Sequence, residues 1–376
     1  MSEPRSPHRA WVEIDHDAIR HNLATLEQLA SPARTIGVVK ANAYGHGAVA
    51  VARTLVDAGV ERLAIATVDE GRELRSAGIT VPLLLLWGIG PAEAPAVIEL
   101  GLEASVYDGR TVEALEGAAR GAGRRASVHL KLDSGLGRQG SGPDAAIDLA
   151  GRISRSRHLG LVGTYSHLAV PGEDDAYTEV QLLRLARLLD TMRSAGLEPG
   201  IVHVSATGGI LAGAGSFADA VRPGLRLYGL VPAWAADQDP GLRPALAVKA
   251  LPLRLYELPA GEAIGYGLRH RAPRATRIAT LGIGYGDGWP RIHANNGWVL
   301  VRGMRAPVVG AVSMDGLTVD IGDIDGVTYA DEFVLIGSQG DERVTVDEVA
   351  TERRTINYEV TTALRDRLPR LHLGLR

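Results

Sequence analysis

No cysteine occurs in the 376 residues, which excludes disulfides, thiolate metal sites and cysteine nucleophiles and leaves secretion without positive support. The most apolar run, VPLLLLWGIG, falls far short of the ~20 residues a bilayer-spanning helix needs. The opening MSEPRSPHRAW lacks the charged-then-apolar pattern of a signal peptide, so a cytoplasmic location is expected. An excess of one charge is missing too. With 40 basic and 44 acidic residues the net charge is −4, and no basic block stands out, so neither nucleic acid nor an anionic membrane is an expected partner. The 11 histidines are scattered without a paired helical spacing such as HExxH, and no metal centre is expected.

Lysine is nearly absent as well. Of the 40 basic residues only Lys40, Lys131 and Lys249 are lysine, and the rest are arginine. A guanidinium stays charged at any physiological pH, whereas an amine can be made neutral and nucleophilic by its surroundings. Schiff-base chemistry needs that neutral amine. A chain so biased towards arginine retains lysine preferentially for work arginine cannot do, and Lys40 in VVKANAYGHG is the first candidate.

Apolar residues make up 45% and charged residues 22%, ordinary for a globular protein long enough for two domains or one large barrel with an addition. From residue 35 short apolar strands alternate with amphipathic helices: TIGVVK, ERLAIAT, VPLLLLW, LEASVYD, ASVHLKLD, LVGTYSH, IVHVSA and AVRPGLRLYGL. The clearest helix is EVQLLRLARLLDTMRSAG, where Leu182, Leu185, Ala186, Leu189 and Met192 share a face and Gly196 ends it. Eight strands separated by helices predict a parallel (β/α)8 TIM-type barrel, with a doubly wound open sheet as the competitor. VPAWAADQDPGLRP reads as a linker. Beyond it LAVKALPLRLYEL, TRIATLGIGYG, WVLVRGMRAPVVG, LTVDIGD and DEFVLIG predict a mainly β domain, with a hairpin at PAGE and a last helix over 346–367. The expected division is 1–238 for the barrel, its first strand able to pack with the β domain instead, and 239–376 for the C-terminal domain.

Barrel enzymes draw their catalytic groups from the carboxyl ends of the strands. Those ends carry Lys40, Lys131 with Asp133, His167, Ser205 and Arg222. Phosphate sites often use the loops after the seventh and eighth strands, here SATGGI (205–210) and RPGLRLYG (222–229), whose small residues let backbone amides approach an anion. A Schiff-base lysine together with a phosphate cradle points to pyridoxal 5′-phosphate.

VVKANAYGHG resembles the cofactor-attachment motif of alanine racemase. KLDSGLGRQG, YSHLA, VRPGLRLYG, AIGYG, LGIGYGDGWPR, GAVSMDGLTVD and INYEV resemble further landmarks of that family, in order, across nearly the whole chain from about Trp11. The resemblance implies a pyridoxal-phosphate isomerase that interconverts L- and D-alanine, supplying D-alanine for cell-wall peptidoglycan. It implies a homodimer whose subunits share active sites. Lys40 would bind the cofactor and act as one base, with Tyr266 of the partner subunit as the other. His167 would link Tyr266 towards Arg222, and Arg222 would face the pyridine nitrogen. Tyr44, Ser205, Gly224, Leu225 and Tyr358 would contact the cofactor, mostly its phosphate. Arg138, with Met314 and Asp315, would recognise substrate. Lys131 would be carbamylated and hold Arg138, while Tyr285 and Arg291 would lie at the entrance.

Plainer readings stand beside these. Lys131 could pair with Asp133, Lys249 reads as a solvent-facing strand residue, and His46 as a structural loop residue. His129 and His203 read as satisfied core histidines. Tyr285, Asp287 and Arg291 could simply build a tight turn, and Asp315 could only orient a loop. Among rival functions, a pyridoxal-phosphate decarboxylase of the same architecture commonly uses a partner cysteine, absent here. A single-barrel cofactor carrier lacks a second domain, and a cofactor-free aldolase leaves the phosphate loops unexplained. Racemases of serine or of broader specificity are not separated by these motifs.

Overall fold

The computed structural model describes residues 8–231 and 240–375. Residues 1–7 and the linker residues 232–239 lie outside them. Strand β1 (Ala10–Asp15) is followed by eight strands: β2 (Arg34–Val38), β3 (Arg62–Ile65), β4 (Leu83–Leu85), β5 (Glu103–Val106), β6 (Ala126–Lys131), β7 (Leu159–Tyr165), β8 (Ile201–Ala206) and β9 (Ala220–Arg222). Each of β2 to β9 runs parallel to the next, and β2 pairs with β9 through Arg34–Ala220 and Thr35–Val221, closing a barrel. Closure rules out the open sheet. Leu83, Leu84 and Leu85 are all buried, as expected for strands with helices outside and packed side chains inside.

The helix Asp175–Ser194 follows the predicted pattern with a rotation. Leu185, Leu189 and Met192 are buried as expected, but Leu182 and Ala186 are half-buried, while Leu188 and Gln181 complete the buried stripe. Gln181 accounts for the shift: its Oε1 accepts the Ala169 amide at 2.8 Å and its Nε2 donates to the His167 carbonyl at 3.2 Å. A buried amide with both ends bonded turns that face inward.

The chain divides into two compact units, one built from the described residues of 19–43 and 48–243, the other from the remaining described residues. The second unit is a mainly β structure. Its strands are β10 (Leu246–Ala250), β11 (Pro252–Leu258), β12 (Ala263–Ile264), β13 (His270–Arg271), β14 (Thr276–Leu281), β15 (Trp298–Val301), β16 (Met304–Val309), β17 (Leu317–Asp320), β18 (Phe333–Gln339), β19 (Glu342–Val344) and β20 (Arg370–Leu373). The large sheet has the order β11-β14-β17-β16-β15-β18-β10-β1-β20, with β19 on β18. Strand β1 is antiparallel to β10 and parallel to β20.

Five local expectations need correction. LAVKALPLRLYEL is two strands, β10 and β11, which pair with β18 and β14. The PAGE turn does not join a simple hairpin: β11 pairs with β14, and β12 pairs with β13. WVLVRGMRAPVVG is two strands, folded on Arg302 (φ 53°) and Gly303 (φ 75°), the paired positive φ of a tight hairpin. The last helix is two short ones, Val346–Arg353 and Asn357–Thr362, because Arg354 adopts φ 57°. Asn357 then turns back to donate to Asp347 Oδ1 at 2.9 Å. Finally, Lys249 is not simply solvated: its Nζ pairs with Glu13 at 2.8 Å and Glu332 at 3.2 Å.

Candidate active site

Lys40 leaves the carboxyl end of β2 and enters an unusual turn. Ala41, Asn42, Ala43 and Tyr44 have φ of 51°, 54°, 52° and 54°, a left-handed run costing about 1 kcal/mol or more for each residue with a Cβ. Such strain persists only where the surroundings over-determine it. Glu70 supplies much of that: one carboxylate oxygen accepts the Ala41 amide and the other the Ala66 amide, both at 2.7 Å. Asn42 Oδ1 accepts the Ala48 amide at 2.7 Å and starts the helix Ala48–Asp57. The lysine is therefore presented from a stiff turn. Burial, then the Arg138 and Arg222 charges, push its pKa down, against the pull of Glu70.

Arg222, the last residue of β9, is buried. Its guanidinium donates to His203 Nδ1 at 2.6 Å, Ser166 O at 2.8 Å, Val204 O at 2.9 Å and His167 Nδ1 at 3.2 Å. Among the described residues two imidazoles and two carbonyls hold it, and no carboxylate does. Burial pushes its pKa down to about 10. His167 is held well below the usual imidazole value by burial and then by Arg222. It is neutral, and with Nδ1 accepting from Arg222, its Nε2 carries the hydrogen.

Lys131 ends β6 and donates from Nζ to Gln139 Oε1 at 3.1 Å and Leu86 O at 3.3 Å. Burial, then Arg222, Arg138 and Lys40, push it down to about 7. Asp133 spends Oδ1 on the Gly135 and Gly137 amides at 2.9 and 3.1 Å. Arg138 is exposed and stacks on the Trp87 ring at 5.3 Å. The loop after β8 is tightly built. Ser205 donates to the Ala214 carbonyl, and a Cβ on Gly209 would stand 2.7 Å from Ser205 Oγ. The Gly224 amide donates to Thr207 Oγ1 at 3.3 Å, and Leu225 begins the 3-10 turn Leu225–Tyr228.

The remaining expected residues belong to the β unit. Tyr44 and Tyr358 face each other with ring centroids 6.0 Å apart, and burial pushes the Tyr44 phenol up. Tyr266 is 76% exposed on a turn that opens at Gly265, φ 70°. It borders a cavity of about 400 Å³ with Ile264, Ala311 and Leu317. Tyr285 and Met314 sit on adjoining loops, because the Tyr285 amide donates to Ser313 O at 3.0 Å and the Gly286 amide to Met314 O at 2.9 Å. Asp287 does build the turn, accepting the Gly284 amide at 3.0 Å, and it also pairs with Arg9 at 2.9 Å and Arg367 at 3.3 Å. Arg367 reaches Asp315 as well, at 2.6 Å. Arg291 lies exposed on the following turn. His46 is buried, with Nδ1 at 3.0 Å from the Tyr44 carbonyl.

A closed barrel with this lysine, this arginine and a mainly β second unit has known counterparts. The family model described as "Alanine racemase, N-terminal domain" matches residues 14–232, and "Alanine racemase, C-terminal domain" matches 245–372. The chain belongs to the alanine racemase family. The alanine racemase of Symbiobacterium thermophilum is 40% identical over 97% of each chain, and that of Desulforamulus reducens 39% identical over 100% of each. The solved alanine racemase from Bacillus anthracis with bound L-Ala-P superposes with a TM-score of 0.92 at 33% identity, covering 98% of this chain and 96% of that one. The Streptomyces coelicolor alanine racemase gives 0.91 at 34% identity, covering 97% and 98%. Alanine racemisation is the activity that goes with this membership, and the enzyme is an amino-acid isomerase.

Some contributors escape sequence reasoning. Glu70 and Gln139 sit in ordinary polar contexts, and Arg9 and Arg367 meet Asp287 from opposite ends of the chain. No local spacing announces such pairs.

Proposed function

We propose that this chain interconverts L- and D-alanine with pyridoxal 5′-phosphate by a two-base mechanism, Lys40 on one side of the substrate and Tyr266 of a second copy on the other. The observation carrying this reading is a lysine with a lowered pKa on a stiff turn, in the same barrel as a buried arginine bonded only to neutral acceptors. The residues fit the cofactor. An amine whose pKa is lowered suits its aldehyde, and the loop 205–210, where a Cβ on Gly209 would crowd Ser205, suits its phosphate. Gly224 and Leu225 would add backbone amides, with Tyr44 and Tyr358 as further phosphate contacts.

Bound there, pyridoxal phosphate would supply an electrophilic carbon for amines and a ring that takes up the electron pair left at Cα. The chain's own residues would then move the proton. Lys40 Nζ, whose proton is held less tightly because burial and the Arg138 charge lower its pKa, would accept it on one face. The Tyr266 phenol exchanges it on the other, polarised by the hydrogen that the neutral His167 carries on Nε2. Arg222 would lie at the pyridine nitrogen. A guanidinium would not give that nitrogen a proton as a carboxylic acid does, so the electron sink the cofactor supplies would be weaker and reactions that need a strong one would be disfavoured. Arg138, with Met314 from the partner, would hold the substrate carboxylate, Asp315 would line the substrate site, and Tyr285 and Arg291 would narrow the entrance.

Carbamylation of Lys131 fits an amine pushed down to about 7, because only the neutral form attacks carbon dioxide. The anion formed would stand among cations and could hold Arg138. The same reading makes the protein a cytoplasmic homodimer supplying D-alanine for peptidoglycan. Among the described residues no helix is long and apolar enough to cross a membrane.

The test is direct. The purified protein should be yellow, borohydride should fix the cofactor on Lys40, and L-alanine in deuterium oxide should lose optical rotation while gaining deuterium at Cα. A colourless protein that leaves L-alanine unchanged after addition of the cofactor would overturn the reading.

A further inference from the structure

A line of polar side chains runs through the barrel interior from the amino ends of the strands to Arg222. Arg62, at the start of β3, donates from Nε and Nη2 to Glu103, at the start of β5, at 2.8 and 3.2 Å. Glu103 Oε2 lies 3.1 Å from His129 Nε2, His129 Nδ1 lies 3.0 Å from His203 Nε2, and His203 Nδ1 lies 2.6 Å from Arg222 Nη1. His129 and His203 are fully buried. A Cβ on Gly163 would stand 2.3 Å from His129 Nδ1, so a glycine is needed to admit that ring. Tyr165 stacks on His203 at 4.5 Å and 15°, which fixes the second imidazole in plane.

The ends of this line set its direction. A guanidinium only donates and a carboxylate only accepts. Each imidazole between them must therefore accept on one nitrogen and donate on the other. His203 accepts from Arg222 at Nδ1 and donates from Nε2, and His129 accepts at Nδ1 and donates from Nε2 to Glu103. Both rings are neutral, and both are fixed as the Nε2–H tautomer. Reversal at His203 would set its Nδ1–H against the Arg222 guanidinium, and reversal at His129 would set its Nδ1–H against the Nε2–H of His203 and a bare nitrogen against Glu103.

We propose that Glu103, His129 and His203 form a one-way hydrogen-bond chain that positions Arg222 from the opposite end of the barrel. Glu103 and His129 are positioning residues: they act through His203 and touch no reacting group. Burial drives both imidazoles towards the neutral form, and Arg62 helps hold Glu103 as the carboxylate. Arg222 is thereby anchored by a neutral acceptor, keeping its charge without a carboxylate beside it. Its consequence for catalysis rests on the racemase reading above; the tautomers do not.

Nitrogen-15 NMR of the histidine-labelled holoenzyme at neutral pH tests the chain directly. Two imidazoles that are lost in His129→Gln and His203→Gln should both be neutral Nε2–H tautomers in the wild type. Either ring appearing as Nδ1–H or as imidazolium overturns the proposal, whether or not the protein racemises alanine. His129→Phe should then release His203 into mixed tautomers and lower kcat roughly ten- to a hundredfold, the scale on which misplaced supporting groups act, with KM changed less than twofold. His129→Gln, which can accept and donate in turn, should recover part of that loss and serves if His129→Phe fails to fold. A folded His129→Phe with wild-type kcat and an unchanged His203 tautomer overturns the positioning role, while a wild type that does not racemise alanine refutes the activity and leaves the tautomer result standing.

Discussion

Lysine scarcity is a residue-scale signal that sequence alone displays, and at two of the three positions the surroundings act on the amine's protonation. Lys40 and Lys131 both have pKa values pushed down, chiefly by burial. The third, Lys249, is an ion-pair residue whose partners Glu13 and Glu332 are invisible in its local alternation. For Lys131 the shift carries a sign. Between about 7 and the ordinary 10.5 the amine is neutral in the folded chain and protonated in the unfolded one. The unfolded state then binds more protons, so this group's contribution to stability rises with pH across that window and is level below it. In buffer free of carbon dioxide, Lys131→Met should flatten the rise of the urea-unfolding free energy between pH 7 and 10. With labelled bicarbonate the wild type should yield a carbamate carbon resonance that the variant lacks. A variant with the wild-type pH slope would mean that Lys131 is protonated where it stands.

At the scale of elements, the eight barrel strands were legible because each is a short apolar run between amphipathic helices, and burial on both faces leaves no alternation to confuse. Backbone handedness was not legible. Nothing in KANAY announces four consecutive left-handed residues, two of them alanine and one tyrosine, and nothing in TERRTINYE announces that Arg354 will split a helix. The first depends on Glu70, remote in sequence, and the second goes with the Asn357–Asp347 bond that closes across the break. Ala41 is exposed, so its side chain can be changed without disturbing the core. Ala41→Val should lower stability by about 1–2 kcal/mol, since a β-branched side chain tolerates this region poorly, and urea titration will read it. Glu70→Ala should leave the fold cooperative while reducing turnover at saturating alanine, because the turn presenting Lys40 loses its brace.

For the whole molecule, the order of motifs pointed to a barrel followed by a β unit, and both are present. A second copy had to be inferred from resemblance, since no spacing in one chain encodes it. Within the β unit Tyr266, Leu268 and Met314 are 76%, 57% and 51% exposed, large apolar side chains of the kind an interface covers. If sites are shared between subunits, mixed dimers of Lys40→Ala and Tyr266→Phe chains contain one intact site each. Random pairing should then restore roughly a quarter of wild-type activity for a twofold dimer, measured after exchange of subunits is verified by mass spectrometry. No recovery in verified mixed dimers would argue against sites shared between subunits.

Strand β1 has its neighbours in β10 and β20, so Ala10–Asp15 lies between strands that begin more than 200 residues later. During synthesis the earliest strand made waits for the latest, while the barrel strands follow one another and can pair as they emerge. Joining strands so remote carries a loop-closure entropy, and the β sheet is therefore expected to consolidate only once β20 has been made. Chains stalled before β20 would carry an unmet strand edge available to chaperones or to other nascent copies.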